Sequence, residues 1–156
     1  MSQAHRIEVG FNSKNLDSVA ISTENDITED LEITDSLQIR FAEVYYLELG
    51  VTEQKAGEIA KKVIIDPLVQ IFSLNKELYK GDFYVEVSLL DGVTDNLSII
   101  TKEAIEDFLG RKLPGKIRTS KKYYFSGKIA KKTIERIATQ LLANQVIEKY
   151  EIGEIK

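Results

Sequence analysis

Apolar and polar residues alternate through residues 83–89: Phe83, Val85, Val87 and Leu89 fall on one face, Glu86 and Ser88 on the other. That period of two predicts a half-buried strand. Asp91-Gly92 then turns the chain, and Thr94, Asp95 or Asn96 caps a helix whose apolar stripe reads as Ile100, Ala104, Ile105, Phe108 and Leu109. Gly110 stands where that helix should stop. After Pro114-Gly115, residues 116–126 read as two adjoining strands or one bent hairpin, rich in Tyr123, Tyr124 and Phe125. A second helix is predicted from Ile129 onward, with Ile134, Ile137, Ala138, Leu141 and Leu142 on one stripe and an end near Asn144. Residues 146–152, with many β-branched and aromatic side chains, return as a strand. The predicted order is βαββαβ.

The first half reads in the same order: a strand over 6–11, a helix within 16–31, strands within 37–49, a helix over 52–64 and a strand over 68–74. The helix within 16–31 carries a competing pattern. Ser18, Ser22, Thr23, Asn25, Asp26 and Thr28 compete for nearby backbone groups, so an irregular or shortened helix is expected there. Residues 75–81 form a short charged linker. Sliding the sequence by 78 positions, half of its 156, aligns it with itself without a gap. Tyr45-Tyr46-Leu47 falls on Tyr123-Tyr124-Phe125, Ile7-Glu8-Val9 on Val85-Glu86-Val87, and Ile59-Ala60 on Ile137-Ala138. The glycine turn of residues 91–95 has only Ser13-Lys14-Asn15-Leu16-Asp17 opposite it.

These patterns predict an α+β protein of two tandem units, residues 1–77 and 78–156. Each is expected to be a two-layer sandwich of antiparallel sheet and two helices, and the two pack as a pseudo-twofold pair. A unit of that size is marginal alone. Residues 68–72 carry apolar side chains on both strand faces, as expected if helices cover one side of each sheet and the other copy covers the opposite side. Tyr45, Tyr46, Val69, Ile71, Tyr123, Tyr124 and Ile147 are the expected contacts between units. The short linker makes their docking intramolecular.

Composition narrows the chemistry. Lys and Arg total 21 against 25 Asp and Glu, a net charge of -4, so no positive field exists to hold a phosphate backbone and no nucleic-acid partner is expected. With no cysteine and one histidine, His5, the sequence offers no disulfide, thiolate nucleophile, zinc ligand set or His-based triad. No metal, cofactor or catalytic residue is expected. No apolar run approaches the roughly 20 residues that span a bilayer, so no membrane partner is expected and a cytoplasmic protein is the default.

The run Val85-Glu86-Val87, the turn Asp91-Gly92-Val93-Thr94-Asp95-Asn96, the segment Tyr123-Tyr124-Phe125-Ser126-Gly127 and the ending Asn144-Gln145-Val146-Ile147-Glu148-Lys149-Tyr150 together resemble the PurS subunit of formylglycinamide ribonucleotide amidotransferase (phosphoribosylformylglycinamidine synthase). The resemblance covers the second unit. Gln145 replaces the proline usual in the family's ending, whereas the first unit keeps a proline in Asp66-Pro67 but lacks the glycine turn. Tandem copies also resemble the N-terminal region of some long synthetase chains, so a free subunit and the front of a longer synthetase both stay open. The resemblance implies a non-catalytic subunit of purine biosynthesis. It would join a glutaminase subunit to an ATP-using synthetase subunit and help retain ammonia between them, with further self-association possible.

On this resemblance Asp91, Gly92, Val93, Thr94 and Asp95 become candidate partner contacts, although the same residues also read as a plain turn with a helix cap. Arg118 and Ser120 are candidates on an exposed hairpin, where a solvated strand edge is the competing reading. Asn144 joins them. Lys61, Lys62, Lys121, Lys122, Lys131 and Lys132 read as solvated faces and His5 as exposed and inert. Glu8 and Glu86, at matching positions, read either as a carboxylate pair across the pseudo-twofold axis or as exposed polar positions of half-buried strands. A stand-alone small-molecule sensor or adaptor built from a paired α+β unit is the competing class.

Overall fold

A computed structural model describes residues 4–155 of the 156-residue chain. Its strands are β1 (His5–Phe11), β2 (Leu37–Glu48), β3 (Gln70–Leu74), β4 (Phe83–Leu89), β5 (Lys116–Gly127) and β6 (Glu148–Glu154). The helices are α1 (Ser18–Glu29), α2 (Glu53–Ile59), α3 (Asn96–Leu109) and α4 (Lys131–Ile137). All six strands form one antiparallel sheet in the order β3-β1-β2-β5-β4-β6. The α+β class therefore holds. Most elements of the second half begin 78 residues after those of the first, as in β1 at 5 and β4 at 83, or α2 at 53 and α4 at 131, and β5 at 116 lies one residue further from β2 at 37.

The strand over 116–127, the way the halves meet and the helix within 16–31 differ from the sequence expectations. Residues 116–127 form one unbroken strand rather than two strands or a hairpin, giving each half a βαβαβ order. Ile117, Thr119, Lys121, Tyr123 and Phe125 keep one alternation from end to end, and no Gly, Pro or Asn interrupts them. The halves do not stack sheet on sheet either. They join edge to edge through β2 and β5, whose register runs from Leu37 opposite Gly127 to Glu48 opposite Lys116. Glu43 faces Lys121, its own counterpart 78 residues on, so a pseudo-twofold axis passes between them. Lastly, the segment 16–31 holds a regular helix, because Asp17 caps it by accepting from the Ala20 N–H (3.2 Å) and Ala20, Thr23 and Ile27 bury one face.

All four helices lie on one face of the sheet, and each core is built from both halves. One core joins Ile27 of α1 and Ile39 of β2 to Val85, Phe125, Ile134 and Ile137 of the second half. The other joins Ile7, Leu47 and Ile59 of the first half to Ile105 of α3 and Ile117 of β5. Fully burying such an Ile contributes about 1.5–3 kcal/mol, so neither half keeps its core without the other. Both α2 and α4 widen at the end, where the Ile65 and Ala143 N–H groups bond five residues back to Ala60 and Ala138 (3.1 and 3.0 Å).

The stripe predicted for α3 splits, with Ile105 and Leu109 against the core and Ile100, Ala104 and Phe108 outward. Ile105 is buried with Ser98, Thr101 and Glu106, whereas Ile100 is 64% and Phe108 42% exposed, with Ala104 between them also exposed. Two rows of apolar residues competed for the inward position, and the packing of α3 on β5 and on the widened turn that follows α2 goes with the row holding Ile105. Gly110 ends the helix as expected, at a left-handed φ of 71° that carries no penalty without a side chain.

Candidate functional site: the open face of the sheet

The helix-free face of the sheet is polar. Along β1, β2, β4 and β5 it presents Arg6, Glu8, Arg40, Tyr46, Tyr84, Glu86, Arg118, Ser120, Lys122 and Tyr124, the residues that alternate with the core-facing ones. Linker residues 75–81 cross this face from β3 to β4 and cover half of it. Beneath them Glu8 is fully buried: Lys122 Nζ donates to it at 2.9 Å and the Tyr124 hydroxyl donates to its other oxygen. The Leu78 N–H donates to Tyr124 Oη (3.0 Å) and to Glu8 (3.3 Å). Arg6 Nε lies 3.1 Å from Glu8 but is not aligned for a hydrogen bond. These facts correct the reading of Glu8 and Lys122 as solvated. A charge of each sign is kept inside by pairing with the other.

Tyr79 completes the cover. Its hydroxyl donates to the Phe11 carbonyl (2.6 Å), the Arg40 guanidinium sits 4.1 Å over its ring, and its edge meets Tyr124 at 5.5 Å between centroids. Gly10 lies beneath, where a β-carbon would come within 2.2 Å of Tyr79 Oη. Burial pushes the Tyr79 phenol up to about 12. Burial first, and then the bond to Glu8, carries Tyr124 higher still, so both act as neutral donors.

Across the axis the same constellation stands uncovered. Glu86 accepts from the Tyr46 hydroxyl and from Ser120 Oγ (2.6 Å). Burial and then this bond raise the Tyr46 phenol. Glu8 and Glu86 occupy matching places but do not face each other, because β2 and β5 separate their strands. Arg118, the counterpart of Arg40, lies 3.8 Å over the Tyr46 ring with its side chain 53% exposed.

The sequence-predicted partner residues gather near this uncovered half. Asp91, Gly92 and Thr94 are exposed and Val93 half-buried. Asp95 turns inward: it caps α3 through the Ser98 N–H (3.0 Å) and accepts from Thr119 N–H and Oγ (2.8 and 2.9 Å), as Asp17 does in the first half with Phe41 N–H (3.0 Å) and Arg40 (2.8 Å). Ser120 is buried on Glu86 rather than exposed on a hairpin. Asn144 is exposed in a turn tied to this region by the Leu90 N–H and Ile147 carbonyl (2.8 Å). A cavity of about 590 Å³ lies among these segments, lined by Ser88, Asp91, Gly92, Lys116, Arg118 and Lys149.

Of the expected contacts between units, Tyr45, Tyr46, Tyr123 and Tyr124 lie on the paired strands β2 and β5. Val69, Ile71 and Ile147 do not reach the junction, because β3 and β6 are the two outermost strands and pair only within their own halves. His5 is buried rather than exposed, its Nε2 2.9 Å from the Val51 carbonyl. The linker's part was missed from sequence, where residues 75–81 read only as a connection. The signal available was Leu78-Tyr79, two large side chains in an otherwise charged stretch.

Among the described residues no helix is long and apolar enough to cross a membrane. Residues 82–155 match the family PurS, described as Phosphoribosylformylglycinamidine (FGAM) synthase. No curated protein matches the chain. The match spans just under half of the chain and supports a likeness of its second half to PurS, a subunit of FGAM synthase in purine biosynthesis.

Proposed function

We propose that this chain is a non-catalytic, cytoplasmic subunit of FGAM synthase that bridges a glutaminase and an ATP-dependent synthetase and supports the passage of ammonia between them. Its two PurS-like repeats, residues 1–77 and 78–156, stand for the two members of a dimer and descend from one duplicated unit. The nearly equal spacing of elements supports the duplication, as do mirrored contacts: Asn12 N–H to the Val69 carbonyl (2.9 Å) repeats as Leu90 N–H to the Ile147 carbonyl (2.8 Å).

The observation that carries the bridging role is an asymmetry. The half that matches the family is also the half left open, both on the sheet and on α3. Ile100, Ala104 and Phe108 form an exposed apolar row, whereas their counterparts are Ser22 and Asp26 on α1 and Asp30 at its C-terminal cap. A row of that kind on one unit only fits a contact made by one unit only. Asp91, Gly92, Val93, Thr94, Arg118 and Asn144 are the proposed neighbouring contacts, while Asp95 and Ser120 hold the surface in place from within.

Native mass spectrometry of the chain with the two large subunits, under glutamine and ADP-Mg, tests this reading. A three-component complex weakened by Phe108→Ser together with Ile100→Ser is expected. Absence of any complex with the unmodified chain overturns it.

A further inference from the structure

We propose that the uncovered half of the open sheet face binds an extended segment of a partner protein, one that places an aromatic side chain followed by an acidic residue against Arg118, as Leu78-Tyr79 cover the other half. The molecule supplies its own template. On the covered half a linker N–H meets a Glu–Tyr pair, Glu8 with Tyr124, and a linker aromatic ring lies under Arg40. On the uncovered half the Glu–Tyr pair is Glu86 with Tyr46, and Arg118 replaces Arg40. Where Tyr79 is interposed, Arg40 stacks on it. Where nothing is interposed, Arg118 rests directly on Tyr46 at 3.8 Å. An incoming aromatic ring would exchange one cation–π contact for another, which keeps the cost of opening the site small.

Two differences define the ligand. Ser88 stands where the first half has Gly10, and since a β-carbon at Gly10 would sit 2.2 Å from Tyr79 Oη, an aromatic ring over Ser88 must ride higher than Tyr79 does. That moves it toward the cavity lined by Lys116, Arg118 and Lys149. These three cations meet two carboxylates, the exposed Asp91 and Glu48, which lies 3.8 Å from Arg118, since Asp95 is held by Ser98 and Thr119. An acidic residue after the aromatic one complements them. Lys122, which meets the linker's Glu77 at 3.8 Å on the covered half, has Val44 as its counterpart, so no acid is needed before the aromatic residue.

The identity of the partner rests on the bridging role proposed above; the site itself does not. The test titrates the ¹⁵N-labelled full chain with a synthetic peptide of linker residues 76–81, with its Lys80→Asp version and with its Tyr79→Ala version. Expected are shifts at Tyr46, Ser88–Asp91 and Arg118, at least about threefold tighter binding of the Lys80→Asp peptide at low salt, and loss of both responses with the Tyr79→Ala peptide or in Arg118→Ala protein. No shift at saturating peptide, shifts confined to Gly10 and Arg40, or binding indifferent to Arg118→Ala would overturn the proposal. Peptide binding without assembly on the large subunits would sink the bridging role and leave the site standing. Assembly without peptide binding would do the reverse.

Discussion

Lys122 and Glu8 form an ion pair deep under the linker, 2% and 0% exposed and 2.9 Å apart. Removing one member of a buried, hydrogen-bonded pair costs about 3–5 kcal/mol, because the other charge stays behind in the interior. In Lys122→Met, Glu8 would keep the Tyr124 hydroxyl, the Leu78 N–H and the nearby Arg6 guanidinium, so the loss belongs near the lower end, about 3 kcal/mol. At about 2–4 °C per kcal/mol for a chain of this size, the melting temperature should fall by about 6–12 °C. The double variant Glu8→Leu with Lys122→Met removes both charges and should recover to within about 1 kcal/mol of the parent. The far side of the axis shows that the sheet accepts such an exchange: Val44 fills Lys122's place there, and Glu86 is served by Tyr46 and Ser120 alone. Urea denaturation measures both variants, with an unchanged denaturant slope as the check that the same unfolding is compared. A single-variant loss below about 1 kcal/mol, or a double variant no better than the single one, would refute the claim that pairing is what keeps Lys122 inside.

Glu43, beside the pseudo-twofold axis, has its carboxyl raised by burial and by Asp95, with Lys121 pulling partly the other way. A carboxyl raised on folding is destabilised once ionised, so stability should fall as pH rises through the range above its ordinary value of 4.5. Glu43→Gln should therefore raise the melting temperature at pH 7 and lose that advantage near pH 4; scanning calorimetry at both values decides it. Asp17→Ala and Asp95→Ala each remove a helix cap and a tie to the adjoining strand. Each should cost about 2 kcal/mol by urea denaturation, and a loss confined to one would contradict their equivalence. Gly10→Ala should lift Tyr79 off β1, which hydrogen exchange would register as faster exchange at residues 76–80 while β1 stays protected. Unchanged linker protection would count against the cover described above.

The class of the protein and the bounds of most elements were legible in one dimension. The alternation in 83–89, the capping Asp95 and the stop at Gly110 are local properties, set by which side of the backbone each side chain takes and by which φ a residue tolerates. The offset of 78 was legible too, and with it the pairing of like elements. The resemblance to PurS rested on such local runs, and the match over residues 82–155 covers the same part of the chain.

Only the folded chain decided how the halves meet. Alternation fixes which residues share a face of a strand but not which strand lies beside it, so β2–β5 pairing, the shared cores and the outward turn of Ile100 and Phe108 needed tertiary contacts. The same holds for Glu8, Lys122 and His5. A polar residue at an outward strand position reads as solvated until another segment covers it, and here residues 75–81 return across the sheet and cover one half. What distinguishes the two ends of the open face is therefore the path of the linker. That path follows from where β3 ends and β4 begins in three dimensions, on opposite sides of the central β2–β5 pair, and no residue in the linker states that distance.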